Sequence, residues 1–268
     1  MIKIIFSDMD GTLLDDHSRL PADFDALMLE LKARGVIFAP ASGRQYFSLL
    51  RSFPKYRDEF LFVAENGTLV MHHDQEIFSK AMTRVDADAV LDFAAQWDDI
   101  FAVFCGKRSA YYLASKADPN LMLEFEKYFT KNTAVDSFAD VDDEPLKISV
   151  FDITARAAQT TYPALHARFN GPLQVDLSSN QWVDVMTAGV SKGVAVQNVQ
   201  RLLKIKPDEC AAFGDYLNDV TMLKSVGSGF AMANAHPDLK ALARFETSSN
   251  NEAGVLAGIR KLIDEGLI

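Results

Sequence analysis

Three short apolar segments, each running directly into a polar loop that contains glycine, constrain the fold of this chain most strongly. The segments are Ile2 to Phe6, Val36 to Ala39 and Cys210 to Phe213, and the loops that follow read SDMDGT, PASGR and GDYLND. Short continuous apolar runs are typical of strands buried on both faces of a parallel sheet. Ligands bind beyond the carboxyl ends of such strands, so we expect the three loops to converge on one site.

Helical spacing of apolar residues between these strands predicts an alternating α/β architecture. Phe24, Leu27, Met28 and Leu31 form one such set, which ends at Gly35. We predict a doubly wound parallel sheet of the Rossmann type, with the following further elements: a helix after Tyr46, a strand over 60–63, helices over 190–203 and 217–226, a strand over 229–232, and helices near 239 and from 252.

The rhythm changes between residues 83 and 187, where the pattern predicts an inserted α+β domain with an antiparallel sheet. The predicted elements there are helices over 86–97, 121–128 and 155–169 and strands over 100–104, 110–113, 147–153, 173–177 and 182–185. The prediction therefore has a discontinuous core, residues 1–82 and 188–268, and an insertion over 83–187.

Composition excludes several classes of protein. The 268 residues carry a formal charge of −10 without any basic cluster, which argues against binding to nucleic acid or to an anionic membrane. Cys105 and Cys210 stand far apart in apolar surroundings, which favours free thiols and a reducing compartment. No apolar run has the length of a membrane span, so we expect a soluble cytoplasmic protein. We expect this protein to be a monomer or a weak homo-oligomer.

Two acidic loops predict a divalent cation. Asp8 and Asp10 follow the first strand, and Asp215, Asn218 and Asp219 follow the strand that begins at Cys210. Two carboxylates this close in a crevice need a cation or a proton, and Mg²⁺ prefers oxygen ligands. A solvated Asp-Gly turn and a helix N-cap are the purely structural alternatives for the two loops.

Two further positions suit an anion. Ser42 and Gly43 follow the second strand, where a hydroxyl and backbone N–H groups would face outward at the start of a helix. Lys192 opens another helix, where a cation is unfavourable unless an anion lies nearby. Ser42 as an ordinary N-cap is the alternative interpretation.

Together these residues resemble the haloacid dehalogenase superfamily of phosphohydrolases. Its four motifs occur in order as Asp8-x-Asp10-Gly-Thr, Ser42-Gly-Arg, Lys192 and Gly214-Asp215-x-x-Asn218-Asp219. The insertion between the second and third motifs looks like the α+β cap of the Cof-type branch, subfamily IIB, and ASGRQYF with VAENGT is similar to its bacterial sugar phosphatases. The resemblance covers nearly the whole chain.

The resemblance implies a role for each motif residue. Asp8 would be the nucleophile that forms an aspartyl-phosphate, and Asp10 would protonate the leaving alcohol and later deprotonate water. Asp8, Asp215 and the backbone carbonyl of Asp10 would bind Mg²⁺, and Asp219 would support the metal shell or Lys192. Ser42, Gly43 and Lys192 would bind the phosphate, and Asn218 would orient the phosphate or the substrate.

Two other residues are candidates for substrate binding, and each has a purely structural alternative. Arg44 contacts substrate or pairs with a surface acid, and Asn66 contacts substrate or simply forms an Asn-Gly turn. Asn180, Trp182 and Asp184 are candidates for the leaving-group pocket, which the insertion would close over the reaction.

The sequence predicts a Mg²⁺-dependent phosphatase acting on small phosphorylated metabolites, with sugar phosphates as the first choice. A phosphatase for a flavin or pyridoxal precursor and a phosphomutase are the alternatives within the enzyme class. A non-catalytic regulator that binds a phosphorylated ligand is the alternative from another class. Asp10 argues against the regulator, because a protein that only binds a phosphorylated ligand needs no general acid.

Overall fold

The structure is a computed structural model that describes residues 1–268. It contains a five-stranded parallel sheet. The strands of the whole chain are β1 (Ile4–Ser7), β2 (Ile37–Pro40), β3 (Leu61–Ala64), β4 (Leu69–His72), β5 (Gln75–Ser79), β6 (Ile100–Gly106), β7 (Ala110–Leu113), β8 (Asn132–Val135), β9 (Pro145–Asp152), β10 (Leu173–Leu177), β11 (Trp182–Thr187), β12 (Cys210–Gly214), β13 (Ser228–Ala231) and β14 (Phe245–Glu246). The helices are α1 (Phe24–Ala33), α2 (Tyr46–Ser52), α3 (Arg84–Ala94), α4 (Pro119–Tyr128), α5 (Thr161–Phe169), α6 (Lys192–Leu203), α7 (Val220–Lys224), α8 (Pro237–Lys240) and α9 (Gly254–Asp264).

The chain divides into two units by its internal contacts. The parallel-sheet unit comprises residues 1–42, 55–78 and 191–268, and the inserted unit comprises residues 43–54 and 79–190. Within the inserted unit the two ends of the long insertion lie side by side, because Lys80 donates to the carbonyl of Ala188 and Thr187 donates to that of Ala81. The two ends of the segment 79–190 are therefore hydrogen-bonded to each other within this unit.

The parallel sheet has the strand order β14-β13-β12-β1-β2, which confirms the predicted α/β class. All residues of β1, β12 and β13 are buried, as expected of strands covered on both faces. β1 pairs with β2 on one side and with β12 on the other, although β12 lies some 200 residues later in the chain. The strand order therefore reverses at β1, and a ligand site is expected beside its carboxyl end.

The predicted third parallel strand has a different place. β3 joins β4 and β5 in a separate sheet, in which it runs antiparallel to β4, and it pairs with the chain after β2 through a parallel bridge between Ala41 and Val63. The N–H groups of Ile37 and Ala41 point toward β1, so by alternation Pro40 faces the side of β3. Proline has no N–H to donate there, which explains why a full ladder between β2 and β3 does not form.

The inserted unit is built on a six-stranded sheet with the order β10-β11-β9-β6-β7-β8. Its pairs are antiparallel as predicted except for β7 and β8, which run parallel, and β8 was absent from the predicted elements. One face packs on α3 and α5 through residues such as Val90 and Leu165, and the opposite face packs on α4 through Phe125. The sheet thus has helices on both faces.

Residues 43–54, predicted as part of the core, belong by their contacts to the inserted unit. The Gln45 side chain donates to the carbonyl of Lys131 at 2.8 Å and accepts the N–H of the same residue at 3.0 Å. Ser48 donates to the carbonyl of Tyr128 at 2.6 Å and accepts the N–H of Thr130. These four bonds attach the start of α2 to the loop that follows α4.

Two predicted helices are shorter in the structure. The helix predicted from residue 155 begins at Thr161, because the Asp152 carboxylate accepts bonds from the hydroxyls of Thr154, Thr160 and Thr161 and folds the intervening residues into turns. The helix predicted over 217–226 is a 3₁₀ turn followed by α7. Around Asp152, a short side-chain acceptor competes in this way with helical hydrogen bonds.

None of the helices is long and apolar enough to span a membrane. Both cysteines are free and buried.

We expect Phe125→Ala to lower the free energy of unfolding by about 3–5 kcal/mol, because it empties a packed aromatic site. The Phe125 ring is fully buried, edge-on to Phe101 and Tyr112 and stacked on Phe129 at 4.9 Å. Urea unfolding followed by circular dichroism measures the effect. Leu123→Ala on the same helix is the control, since Leu123 is 69% exposed and its loss should change stability by less than about 0.5 kcal/mol. Equal losses for the two variants would contradict this packing.

Candidate active site

Asp8 lies at the point where the strand order reverses. It follows β1 directly, is buried, and donates its backbone N–H to the carbonyl of Phe213 in β12 at 3.0 Å. Because Ser7 stands beside Phe213 in the register, the loops after β1 and β12 start next to one another. The two acidic loops seen in the sequence therefore meet in one place within the parallel-sheet unit.

A buried lysine joins these two loops. The ammonium of Lys192, the first residue of α6, lies 2.5 Å from Asp8 Oδ1 and 2.7 Å from Asp219 Oδ1. Ser191 caps this helix by accepting the N–H of Val194, so the lysine side chain is free to turn into the site. Its position at a helix start is compensated by the two carboxylates that it contacts.

Asp219 shapes the loop after β12 as well as binding Lys192. Its second oxygen accepts the backbone N–H groups of Asp215 and Tyr216, at 3.0 and 3.2 Å. Gly214 allows this turn, because a Cβ at that position would lie 2.5 Å from the Cβ of Asp219. A fully buried carboxylate thus holds the loop that presents Asp215.

Asp215 is held from the loop after β1. The Thr12 hydroxyl, which is buried, donates to Asp215 Oδ1 at 2.7 Å. Gly11 has φ +75° and approaches so closely that a Cβ would lie 2.5 Å from Asp215 Oδ2. Only glycine satisfies both the left-handed backbone and the contact. Asn234 fixes the same turn by donating to the Gly11 carbonyl.

The electrostatics of this cluster are unbalanced. Oxygens of Asp8, Asp215 and Asp219 lie within 4.8 Å of one another, with Lys192 as the cation that contacts two of them. Burial, followed by the charges of Asp219 and Asp215, raises the pKa of Asp8 well above its ordinary value despite Lys192. Burial likewise raises the pKa of Asp215, which the Thr12 hydrogen bond partly offsets.

Burial lowers the pKa of Lys192, but the carboxylates of Asp219 and Asp8 outweigh it and hold this pKa above its ordinary value. The lysine is therefore a permanent cation. One ammonium against three carboxylates leaves room for a further positive charge, and carboxylate oxygens suit a hard divalent cation such as Mg²⁺. The donor set thus fits the predicted metal.

Ser42 and Asn66 are neighbours at the end of the second strand region. Ser42 is buried, donates its N–H to the carbonyl of Val63, and accepts the N–H of Asn66 at 3.0 Å on its own carbonyl. Glu65 and Asn66 both adopt left-handed backbone, at φ 50° and 57°, which is a strained conformation for residues other than glycine. The ENG turn therefore supports the backbone of Ser42.

Two predicted residues lie on exposed turns beside the cluster. Asp10 is exposed in the turn after β1 and forms an isolated bridge with Leu14. Asn218 is exposed in the 3₁₀ turn Leu217–Asp219, in the same loop as Asp215.

The remaining predicted residues belong to the inserted unit. Gly43 and Arg44 are partly exposed, and the Gly43 carbonyl accepts a hydrogen bond from Lys147. Asn180 is exposed in the hairpin turn before β11, whereas Asp184 is buried within that strand and accepts bonds from two serine hydroxyls. Three residues separate them along the chain, and one is exposed where the other is buried.

Sequence reasoning assigned no role to Thr12, Asn234 or Lys147. Thr12 stands inside the first motif, and its contact with Asp215 spans 203 positions of the chain. Lys147 had a local signal, since a lysine interrupts the apolar strand PLKISVF. A charged residue at such a position needs a buried partner.

Comparison with known proteins shows the family of this chain. A model of haloacid dehalogenase-like hydrolases matches residues 5–259. The chain belongs to the haloacid dehalogenase-like hydrolase family. It is 33% identical over 264 residues to the 5-amino-6-(5-phospho-D-ribitylamino)uracil phosphatase YbjI of Escherichia coli, an alignment that covers 98% of this chain and 96% of the relative. The protein is therefore a phosphatase of the haloacid dehalogenase-like family.

Solved structures share the fold of this chain. SMU.1108c from Streptococcus mutans superposes with a TM-score of 0.88 at 26% identity, covering 98% of this chain and 100% of that one. The subclass IIB sugar phosphatase BT4131 superposes with a TM-score of 0.82 at 21% identity, covering 99% and 100%. The second likeness, at this identity, concerns the fold.

We expect Asp219→Asn to lower the free energy of unfolding of the metal-free protein by about 1–3 kcal/mol, because it removes one charged partner of a buried ammonium and one loop acceptor. Asp8→Asn should leave stability unchanged or raise it, because it relieves repulsion while Lys192 keeps Asp219. Urea unfolding at pH 7 with EDTA compares the two. A larger loss for Asp8→Asn would show that the Asp8 contact, and not Asp219, holds the lysine.

Proposed function

We propose that this phosphatase hydrolyses phosphomonoesters of small polyhydroxylated metabolites with Mg²⁺, through an aspartyl-phosphate on Asp8. The observation that carries the proposal is the contact of Lys192 with Asp8 and Asp219 at the carboxyl ends of β1 and β12. A buried lysine held by two carboxylates keeps a positive charge beside the carboxylate that would attack phosphorus.

In the first step, an oxygen of Asp8 attacks the phosphorus atom and the bond from phosphorus to the ester oxygen breaks. Asp10 donates a proton to that oxygen, so the leaving group departs as a neutral alcohol. Asp10 is exposed on the turn two residues after Asp8, on the same loop as the proposed nucleophile.

In the second step, Asp10, now ionised, takes a proton from a water molecule that attacks the phosphorus of the aspartyl-phosphate. The bond between phosphorus and the Asp8 oxygen breaks, which releases inorganic phosphate and restores the Asp8 carboxylate. The same residue acts as acid and then as base, as reversibility requires.

The raised pKa of Asp8 supports a requirement for a cation. A nucleophilic Asp8 must be ionised, yet burial and the neighbouring carboxylates favour its protonated form. We propose that Asp8, Asp215 and the backbone carbonyl of Asp10 hold Mg²⁺, with Asp219 acting through Lys192 and the loop. When bound, the ion would neutralise charge on the carboxylates and on the phosphoryl oxygens.

Phosphate binding is assigned to the Ser42 hydroxyl, to Gly43 and to Lys192, with Asn218 orienting the phosphate or the substrate. Ser42 is supported by the strained ENG turn through the Asn66 N–H, so its backbone has little freedom. Phosphoryl transfer depends mainly on positioning and charge neutralisation, which a hydroxyl on a fixed backbone and a buried ammonium would provide.

The polyhydroxylated substrate class is supported by the relative in Escherichia coli. The name of that relative describes a phosphate carried on a ribityl chain, which is a polyol, attached to a pyrimidine ring. A sugar phosphate and this flavin precursor therefore share the chemistry next to the ester. We propose polyol and sugar phosphates as the substrate class, with the ribitylaminouracil phosphate as the first compound to test.

We expect wild-type protein to release phosphate from 4-nitrophenyl phosphate with Mg²⁺ and to stop when EDTA is added. Asp8→Asn should lower the rate by at least about a thousandfold, because it removes the nucleophile. Asp23→Asn, the same charge change at an exposed residue of the parallel-sheet unit, is the control and should leave the rate unchanged. Metal-independent release, or activity in Asp8→Asn, would contradict the mechanism.

We expect kcat/KM in a panel of phosphorylated metabolites to be highest for polyol and sugar phosphates, because these share the ester environment of the ribityl compound. The panel contains the ribitylaminouracil phosphate, hexose and pentose phosphates, nucleoside monophosphates and pyridoxal phosphate. Preference for the last two classes would contradict the proposal. Transfer of phosphate between two sugar phosphates without release of inorganic phosphate would identify a phosphomutase instead.

A further inference from the structure

A lysine is buried in the middle of the sheet of the inserted unit. Lys147 lies in β9. Ile148 and Val150 of the same strand pack into the apolar core shared with α3 and α5. The Lys147 side chain points to the opposite face and is only 3% exposed. The mechanism proposed above makes no use of this cation.

Asp184 and Gly43 are partners of the Lys147 ammonium within the unit. It lies 3.3 Å from Asp184 Oδ1 on the adjacent strand β11 and donates to the carbonyl of Gly43 at 2.9 Å. Asp184 is itself fixed, because Ser149 donates to its Oδ1 at 2.5 Å and Ser178 donates to its Oδ2 at 2.7 Å. The acid therefore anchors the lysine, and the lysine anchors Gly43.

A buried ion pair of this kind is a poor means of stabilising a sheet. The cost of removing both charges from water offsets most of their attraction, and apolar residues of similar volume often serve as well. Lys147 does something that an apolar residue could not do, since it holds a backbone carbonyl in a turn 104 positions earlier in the chain. The positioning of that carbonyl is the distinctive contribution of the pair.

Peptide geometry gives this contact a consequence. The peptide bond is planar and trans, so the carbonyl of Gly43 and the N–H of Arg44 point in opposite directions. An ammonium on the carbonyl fixes the direction of the N–H on the other side of the same peptide and polarises it toward stronger donation. Gly43 follows Ser42 directly, so this peptide belongs to the turn assigned to phosphate binding.

The next residues of the turn are also attached to the inserted unit. Gln45 exchanges two hydrogen bonds with the backbone of Lys131, at 2.8 and 3.0 Å. The peptide between Gly43 and Arg44 is therefore held from Lys147 on its carbonyl side and stands two residues before a second fixed point.

We propose that Lys147, anchored by Asp184, is a positioning residue that orients the Gly43 peptide for binding the phosphoryl group. This inference rests on the proposed function, because it requires that the Ser42-Gly43-Arg44 turn binds phosphate. Lys147 would affect the binding of the phosphoryl group, which all substrates share. A residue that contacted the leaving group would instead affect some esters and spare others.

The test compares Lys147→Met with wild type on 4-nitrophenyl phosphate and on the best polyol phosphate of the panel, together with inhibition by inorganic phosphate. We expect kcat/KM to fall by about tenfold to a hundredfold on both esters, and the inhibition constant of phosphate to rise by a comparable factor, as for a lost charged hydrogen bond. A loss confined to the polyol ester, or unchanged phosphate inhibition, would overturn the proposal.

Two further variants separate positioning from folding. Arg84→Met removes another cation of the inserted unit that donates to backbone carbonyls, those of Phe138 and Val141, and should leave phosphate inhibition within about threefold of wild type. The double variant Lys147→Met with Asp184→Asn removes the unpaired buried charge and carries the test if the single variant does not fold. An equal rise in the inhibition constant for Arg84→Met would overturn the proposal.

A failure of the proposed function can be distinguished from a failure of the positioning role of Lys147. If wild-type protein hydrolysed neither ester with Mg²⁺, the function would fail, and calorimetric titration with inorganic phosphate would still compare wild type with the Lys147 variants. Equal phosphate affinity in that titration would overturn the positioning role by itself.

Discussion

The contact of the Lys192 ammonium with Asp8 and Asp219 is the interaction on which the site depends. It joins the ends of two strands and the start of a helix that come from opposite ends of the chain. Asp219 uses its other oxygen to fold the loop that carries Asp215, so the same carboxylate positions both the lysine and a metal ligand candidate. Removing the ammonium would leave two buried carboxylates without their shared cation.

The fold also buries several carboxylates close together, which is electrostatically unfavourable. Burial and mutual repulsion favour protonation of Asp8 and Asp215, whereas the proposed chemistry needs ionised carboxylates. Sites of this kind lose stability to gain function, and the proposed cation would offset the repulsion between these carboxylates. The inserted unit contains a second buried lysine with a carboxylate, Lys147 with Asp184, so each unit buries a lysine against an acid and connects it to a loop.

The accuracy of the sequence predictions follows from the range of the interactions involved. The strands ending at Asp8 and Asp215 were predictable because a buried parallel strand carries its signal in four or five consecutive residues. The separation of β3 from the parallel sheet was not, because it follows from the direction in which Pro40 faces. The late start of α5 depends on three threonine hydroxyls around Asp152, which no periodicity reveals.

The sequence by itself determined the fold class, the family and the motif residues, because each depends on residue types at short spacing along the chain. Tertiary structure decided which groups touch: Thr12 holds Asp215 across 203 positions, and Lys147 holds Gly43 across 104. It also decided that residues 43–54 belong with the inserted unit. Such contacts depend on how strands register and helices pack, and that information is spread over the whole chain and absent from any local pattern.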